Sequence, residues 1–410
     1  MSIPETLARS LELPCGVIIK NRLCKSAMSE GLSSVDNAPT PRHTRLYGRW
    51  ADGGVGLCIT GNVMIDKSAL GEPRNVVIED ERNLDELSEW AAAGRAGDTH
   101  IWPQLNHPGK QSPNTLSPEP VAPSAIGFPP PLNKFFNPPR ALEETEIENL
   151  IERFARTAGI VKKAGFTGVQ IHAAHGYLVS QFFSPVHNRR IDEWGGSIEN
   201  RMRFAREIYR AIRNEVGKDF PVGIKINSAD FMKGGFSAEE SALVVKTLAE
   251  DGMDLIELSG GTYEKPVMTG RTASDRRINA EAYFIEQAGR VRDLISTPIL
   301  VTGGFRTGQG MAAAVFENLV DMVGIARPMA VDPELPLKIL SGEQYTSSVR
   351  PLTTGIKLID KMALLEVTWY EQQLGYIARG KAVRPNQGVW FSLIKTLVEN
   401  GFQVFQKRRA

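Results

Sequence analysis

Three side chains suited to acid–base chemistry lie close together in this sequence: His172, His175 and Tyr177. Two imidazoles can both donate hydrogen bonds to one substrate oxygen on which negative charge develops. A tyrosine with a pKa near ~10 is protonated at neutral pH and can act as a general acid. The group therefore predicts stabilisation of an oxyanion together with proton donation.

Two other interpretations of the histidine pair compete with this one. Histidines spaced i, i+3 can bind zinc, but no third ligand follows at a metal-like spacing, so we predict no metal site. Alternatively, both rings satisfy backbone groups and have a purely structural role. His107, in the segment Asn106-His107-Pro108-Gly109-Lys110, could join the pair or cap a neighbouring turn.

A second candidate site binds phosphate. Gly303 and Gly304 supply backbone N–H groups without Cβ bulk, and Gly324 and Arg327 follow further along the chain. A guanidinium forms charge-assisted hydrogen bonds with phosphate, and (β/α)8 barrels hold phosphates in the loops after strands seven and eight. Paired glycines alone are also typical of tight turns. Their position together with Arg327 favours a phosphate site.

The elements that would position these residues follow from hydrophobic periodicity. Short β-rich apolar runs alternate with segments of helical period, such as 147–165 and 198–217. The predicted strands are 23–27, 55–60, 101–105, 169–172, 222–226, 255–259, 299–302 and 322–325. Eight strands alternating with helices predict a (β/α)8 barrel, with an open doubly wound sheet as the alternative. In the barrel, the candidate residues lie at one mouth.

The remaining segments are predicted to be loops and a helical tail. Residues 117–140 contain eight prolines and no hydrophobic period, which predicts either a stiff surface loop or a lid over the barrel mouth. The segment 263–278 is expected to shape the pocket. We predict a barrel domain over residues 1–340 and a C-terminal helical extension over 341–410, packed on the barrel or on a partner subunit. Two helical patterns in this extension cover residues 358–374 and 389–402.

Composition argues against several classes of function. The chain has 410 residues, with 48 Lys plus Arg against 47 Asp plus Glu, so no strong field attracts nucleic acid or an anionic membrane surface. Its three cysteines form no CxxC pair, which argues against an iron–sulfur cluster and predicts a reducing, cytoplasmic location. No segment resembles a signal peptide or a membrane span. The sequence leaves open whether the chain forms a homo-oligomer.

Five sequence blocks resemble the old yellow enzyme family of FMN-dependent ene-reductases. The longest covers residues 172–203 and reads HAAHGYLVSQFFSPVHNRRIDEWGGSIENRMR. The others are Asn21-Arg22 before Ala27-Met28, 104–110, 302–306 and 324–328. Because the blocks occur in the family's order across nearly the whole barrel, the resemblance is specific.

The resemblance implies an FMN lying over the barrel mouth. The residues implied to hold its phosphate are those of the site inferred above, Gly303, Gly304, Gly324 and Arg327. Gln104 would bind the pyrimidine edge of the flavin. Lys225 would stand near flavin N1 and O2, where a cation stabilises the negative charge that reduction creates. The residues implied to line the ring are Ala27, Met28, Ser29 and Gly61.

The resemblance also implies the reaction. His172 and His175 would bind the carbonyl oxygen of the substrate, and Tyr177 would supply a proton. NADH or NADPH would reduce the flavin, and an enone or quinone would reoxidise it, so that the activated C=C bond of an α,β-unsaturated carbonyl compound is reduced. Because the chain has no GxGxxG unit, nucleotide and substrate are expected to share one pocket. Two alternatives are a flavin-free barrel aldolase that uses Lys225 as its Schiff-base amine and a non-catalytic flavin-binding barrel.

Overall fold

A closed parallel β-barrel forms the centre of the computed structural model, which describes residues 2–264, 284–356 and 364–404. The strands are β1 (Leu11–Glu12), β2 (Ile18–Ile19), β3 (Leu23–Lys25), β4 (Leu57–Met64), β5 (Val76–Val77), β6 (His100–Asn106), β7 (Val121–Ala122), β8 (Arg140–Ala141), β9 (Val169–Ala173), β10 (Val222–Asn227), β11 (Leu255–Ser259), β12 (Ile299–Thr302) and β13 (Met322–Ile325). The order around the barrel is β3-β13-β12-β11-β10-β9-β6-β4, and β3 also pairs with β4. This last pairing closes the barrel and excludes the open sheet.

Helices alternate with the barrel strands. They are α1 (Ile3–Leu7), α2 (Pro41–Asp52), α3 (Leu84–Gly94), α4 (Glu144–Lys163), α5 (Leu178–Phe183), α6 (Ile198–Val216), α7 (Ala238–Glu250), α8 (Ile285–Arg292), α9 (Gly308–Phe316), α10 (Arg327–Val331), α11 (Leu335–Leu340), α12 (Leu364–Ile377) and α13 (Val389–Val404). At least one described helix separates each pair of consecutive barrel strands along the chain. This alternation confirms the predicted (β/α)8 barrel.

The ends of α4 and α6 follow from local sequence. α4 ends at Lys163, and Gly165 follows with a φ of +90°, a left-handed conformation that glycine adopts without steric cost. The Ser197 side chain caps the start of α6 by accepting a hydrogen bond from the backbone N–H of Asn200. Gly217 stops α6 with a φ of +76°. Both helices were predicted over nearly these residues.

One strand runs further than its apolar segment. β4 was predicted over 55–60 but continues to Met64, because its backbone still pairs with β6 there. The register of this pairing shifts between Ile59 and Asn62, and Gly61 lies within the shift. Such an irregularity bends a strand and redirects its side chains. Gly61 therefore lies inside a strand, not in the loop where it was expected.

The two ends of the barrel interior differ in chemistry. The amino-terminal end is apolar, and its buried cluster comprises Leu11, Leu13, Ile19, Cys24, Leu57, Ile59, Trp102, Leu255, Leu300 and Met322. The hairpin β1–β2 contributes to this cluster and covers that end. The other end contains buried polar or charged side chains, among them Gln104, Gln170, Lys225 and Glu257. Burying such groups costs free energy unless they are paired, so this layer indicates a functional end.

Two segments outside the barrel strands contact its mouth or its side. In residues 117–140, β7 pairs with β8, and the Phe128 ring lies 4.2 Å from Lys110 Nζ in the loop after β6. This contact ties the proline-rich segment to the barrel mouth. The helix α12 packs against α2 and α10, and α13 packs against α12.

Parts of two predicted segments lie outside the described residues. Most of the segment 263–278 falls in the gap 265–283, and the start of the tail helix predicted over 358–374 falls in the gap 357–363. The remainder of that helix is α12, and the second tail helix, predicted over 389–402, is α13. None of the described helices is long and apolar enough to cross a bilayer.

Candidate active site

His172 and His175 lie together at the carboxyl end of β9. Their ring centroids are 5.1 Å apart and the rings are nearly perpendicular, at 84°. His172 is buried, and its Nδ1 accepts a hydrogen bond of 3.3 Å from the backbone N–H of Ala174. A neutral ring that accepts at Nδ1 carries its proton on Nε2, so His172 has a donor to offer on that side.

His175 is held in an unusual backbone conformation, with a φ of +62°. A non-glycine residue there needs support from its surroundings. Its backbone N–H donates to Asn227 Oδ1 at 3.0 Å, and its Nε2 lies 2.8 Å from Ser259 Oγ. These contacts fix the ring beside His172.

Both histidines are neutral at neutral pH. Burial, with a smaller contribution from the nearby Lys225 cation, lowers the pKa of His175 to about 3. Burial, followed by the effects of His175 and Lys225, lowers the pKa of His172 well below its ordinary value. The pair can therefore act as uncharged hydrogen-bond donors.

Tyr177 completes the group predicted from the sequence. Its ring centroid is 4.7 Å from that of His172, and its hydroxyl lies 2.9 Å from the hydroxyl of Tyr263. Burial raises the pKa of Tyr177 well above its ordinary value, with a further contribution from Tyr263. The phenol is protonated over the whole physiological range, as a general acid requires. Phe136, from the proline-rich segment, packs near Tyr263 with a centroid distance of 6.3 Å.

Lys225 lies on β10, next to the histidines. Its Nζ forms an ion pair of 3.0 Å with Glu257 Oε1, and both side chains are buried. The same carboxylate accepts hydrogen bonds from Thr302 Oγ1 at 2.6 Å and Gln170 Nε2 at 2.7 Å. Gln170 in turn accepts a bond of 2.6 Å from Gln104 Nε2. A continuous polar chain thus links Gln104 to Lys225.

The predicted phosphate residues border one cavity of about 190 Å³. Gly303 and Gly304 have φ values of +118° and +87°, which favour glycine. The guanidinium-bearing residues of the lining are Arg306, Arg327 and Arg350, and Lys225 and His175 also border the cavity. A side chain on Gly324 would come within 1.9 Å of Thr302 Oγ1, so only glycine permits this approach of β13 to β12.

The residues implied to line a flavin ring follow β3 or lie in β4 where its pairing register with β6 shifts. β3 ends at Lys25, earlier than predicted, so Ala27 lies in the following loop, where it borders the cavity. Gly61 lies against Met28, since a Cβ there would come within 2.6 Å of the Met28 carbonyl oxygen. Ser29 donates a hydrogen bond to the carboxylate of Glu72.

These residues fit an FMN. A guanidinium-lined cavity with two left-handed glycines suits a phosphate, and Lys225 and His175 border the same cavity. A Cβ on Gly61 would collide with the Met28 carbonyl oxygen and contact the Glu30 side chain, so glycine is needed there for the packing of these residues. The residues around the cavity thus combine guanidinium groups suited to a phosphate with the amine of Lys225.

Several residues of the mouth were not expected from the sequence. Glu257 interrupts an otherwise apolar strand. A charged residue inside a buried strand is the sequence feature that could have indicated its place in the site. Ser259, at the end of the same strand, was overlooked because it forms no motif. Arg350 lies beyond β13, and the backbone bond of 2.6 Å from Ser347 N to Arg306 O brings its segment to the cavity. No local pattern predicts a contact over such a separation.

A flavin-binding (β/α)8 barrel is the class of protein that this fold and this mouth define. The family model described as NADH:flavin oxidoreductase / NADH oxidase matches residues 15–345, and the chain belongs to that family, which includes the old yellow enzymes. Its cofactors are FMN and a nicotinamide nucleotide, NADH or NADPH. The protein is an NAD(P)H-dependent flavin oxidoreductase.

Known proteins are similar over most of the chain. The NADH-dependent flavin oxidoreductase iliE of Hypocrea jecorina is 36% identical over 391 residues, which cover 90% of this chain and 95% of that protein. Morphinone reductase has a solved structure that is 26% identical, with a TM-score of 0.69, covering 84% of this chain and 91% of the other. The old yellow enzyme homologue of Zymomonas mobilis, 24% identical with a TM-score of 0.70, covers 84% of this chain and 94% of its own and shares the fold.

Proposed function

We propose that the protein is an ene-reductase, which takes reducing equivalents from NADH or NADPH and saturates the activated C=C bond of an α,β-unsaturated carbonyl compound. The observation that supports this most is the neutral pair His172 and His175 beside protonated Tyr177. When the β-carbon of an enone accepts a hydride, negative charge develops on the carbonyl oxygen, and the α-carbon then needs a proton. The site offers donors for the first event and an acid for the second.

The same proposal assigns the cofactor-binding residues. Those proposed to hold the FMN phosphate are Gly303, Gly304, Gly324 and Arg327. Those proposed to lie along the ring are Ala27, Met28, Ser29, Gly61, Gln104 and Lys225. Bound FMN supplies hydride transfer, a chemistry that amino-acid side chains do not provide. Of these residues, Ala27 and Lys225 border the same cavity as the four phosphate residues, which supports this arrangement.

The histidines lower the barrier because they are neutral donors held in place before the substrate arrives. At comparable sites, loss of one such donor costs ~3–4 kcal/mol of transition-state stabilisation. The hydrogen bond between His175 Nε2 and Ser259 Oγ and the hydrogen bond from Ala174 N–H to His172 Nδ1 fix the two rings. A substrate oxygen between the rings would need no further reorganisation of the site.

Tyr177 is proposed to hold the proton for the α-carbon. Its raised pKa keeps the proton on the phenol until carbanion character develops at the substrate. Tyr263 lies 2.9 Å away and can hydrogen-bond to the phenolate left after transfer. Phe136, whose ring packs near Tyr263, and Phe128, which packs on Phe136, limit the access of water, which would otherwise compete as a proton source.

The ion pair of Lys225 argues against the aldolase alternative. Schiff-base formation needs an unprotonated amine, whereas a buried carboxylate at 3.0 Å stabilises the ammonium form. A non-catalytic flavin barrel would need the phosphate and ring contacts but not an acid at Tyr177. We also propose that residues 1–340 form the barrel domain and that 341–410 form an extension packed on it, which the contacts of α12 with α2 and α10 support.

The test separates the two half-reactions in the absence of oxygen. FMN-loaded protein is mixed with NADH or NADPH and then with cyclohexenone, and product is quantified. We expect the nucleotide to bleach the flavin, the enone to restore its oxidised spectrum, and one saturated ketone to form per nucleotide consumed. Reoxidation by a quinone added in place of the enone, but by no enone, would leave a flavin oxidoreductase that is not an ene-reductase.

A further inference from the structure

A fully buried carboxylate lies beside the cation of the candidate flavin site. Glu257 on β11 has an exposed fraction of 0%, and Lys225 on β10 has 3%. The two residues are register partners across the β10–β11 pair, and their charged atoms are 3.0 Å apart. In the part of the chain that the structure describes, Glu257 is the acidic residue within ion-pair distance of Lys225.

Because Lys225 is buried, its ion pair with Glu257 affects the stability of its charge. A lysine removed from water loses the solvation of its charge. Full burial can lower the pKa of a lysine by up to ~3–5 units, so that it loses its proton more readily. A carboxylate in direct contact offsets that loss. The charge of Lys225 therefore depends on Glu257.

The contacts of Glu257 favour its ionised form. Lys225 and Thr302 donate to Oε1, and Gln170 donates to Oε2. A carboxylate accepts at both oxygens, and hydrogen bonds to the charged form stabilise it in spite of burial.

The other titratable groups around Lys225 do not replace Glu257. His172, its register partner on β9, and His175 are neutral, and Cys24 on β3 has a pKa raised well above its ordinary value by burial. Lys25 on β3 lies 3.7 Å from its own partner, Glu30. Neither the imidazoles nor the thiol supply negative charge at neutral pH.

We propose that Glu257 is the counter-ion that keeps Lys225 protonated and thereby maintains a positive charge at the N1–O2 edge of bound FMN. The inference rests on the flavin position given under the proposed function. A cation at that edge stabilises the negative charge that two-electron reduction leaves there, so it raises the midpoint potential of the flavin. Glu257 acts through Lys225 and is a positioning residue.

The test compares the FMN midpoint potential in five proteins: the parent, Glu257→Gln, Lys225→Arg, the double variant of these two substitutions, and Lys225→Gln. Glu257→Gln removes the charge and keeps the shape, so Lys225 should lose its proton. We expect the preference for reduced over oxidised FMN to fall at least tenfold, which for a two-electron couple is ~30 mV. Sulfite, which adds to the flavin as an anion, should bind more weakly in parallel.

The Lys225→Arg background shows whether Glu257 acts through its charge or through its packing. A guanidinium stays protonated without a counter-ion, so Glu257→Gln in the Lys225→Arg background should not lower the potential. An unchanged or raised potential in Glu257→Gln alone overturns the proposal. So does an equal fall in both backgrounds, which would mean that Glu257 only shapes the site.

FMN retention provides the remaining outcomes. If Glu257→Gln loses its FMN, the double variant decides. Retention of FMN by the double variant supports the proposal, and loss of FMN from both variants overturns it. If the parent protein binds FMN but Lys225→Gln does not change the FMN midpoint potential, the proposed flavin position itself is contradicted. That result is distinguishable from a failure confined to Glu257.

Discussion

The hydroxyl oxygens of Tyr177 and Tyr263 lie 2.9 Å apart, within hydrogen-bond distance. Tyr177 follows β9 together with the two histidines, and Tyr263 follows β11, so two separate barrel loops bring the phenols together. Burial raises the pKa of Tyr263 to about 12 and that of Tyr177 well above its ordinary value. Both phenols are protonated at neutral pH, and either can donate to the other.

Arg327→Ala tests the phosphate site. Losing a charge-assisted hydrogen bond to phosphate should cost about 1.5–3 kcal/mol, which is roughly a tenfold to hundredfold rise in the FMN dissociation constant. The measurement is titration of the flavin-free protein with FMN, followed by flavin fluorescence. An unchanged dissociation constant in a normally folded variant would remove Arg327 from the site.

Arg350→Ala tests whether the segment beyond the barrel contributes to the same site. Arg350 borders the cavity, so we expect weaker FMN binding, by roughly threefold to thirtyfold, from the loss of a more exposed charge–phosphate contact. Arg384→Ala, which removes an arginine between α12 and α13, is the matched control and should bind FMN normally. Equal effects of the two substitutions would indicate a general charge effect instead.

His172→Ala and His175→Ala test the proposed oxyanion donors. A phenolate needs donors at its oxygen, as a developing enolate does, so each variant should lose the long-wavelength charge-transfer band of phenol bound beside oxidised flavin. Ser259→Ala removes the partner of His175 and should weaken phenol binding less than either histidine substitution. The account is contradicted if both histidine variants bind phenols as tightly as the parent protein.

The pKa of His172 predicts an acid sensitivity of folding. Below a pH of about 6.5 the unfolded chain protonates this imidazole and the folded chain does not, because burial holds its pKa well below the ordinary value. The unfolded state then binds more protons, so the free energy of unfolding falls as pH decreases, by about 1.4 kcal/mol per pH unit for this group. His172→Asn should therefore lose less stability than the parent between neutral and mildly acidic pH, in urea unfolding with saturating FMN. Identical losses would mean that the folded protein protonates His172.

Much of the barrel was predictable because apolar residues recur with different spacing in its strands and in its helices. The strands β11, β12 and β13 begin and end at the predicted residues, since each is a short apolar run between turns. The extension of β4 to Met64 was not predictable, because pairing with β6, not local propensity, holds Gly61 and Asn62 in the strand. Tertiary pairing overrides the sequence signal there.

The candidate site was predictable where its residues are adjacent in sequence. His172, His175 and Tyr177 lie together in the structure because they share one strand end. Tyr263 and Glu257 join them across the barrel, through contacts between different strands and loops that no local spacing encodes. Their roles stay predictions until the variants are measured.

The most direct test of the central claim compares proton delivery with hydride transfer in Tyr177→Phe. The variant keeps the ring packed on His172 but removes the proposed acid, so reduction by NADH or NADPH and reoxidation by a quinone should continue almost unchanged. Reoxidation by cyclohexenone, whose α-carbon needs a proton inside a closed pocket, should slow by ~10²–10⁴-fold. Tyr263→Phe, which removes the neighbouring hydroxyl, is the matched control and should slow the enone reaction far less. Anaerobic stopped-flow reoxidation of the prereduced protein measures both substrates. Divergence between quinone and enone is the predicted result, and equal rates for the variant and the parent with cyclohexenone would contradict the account.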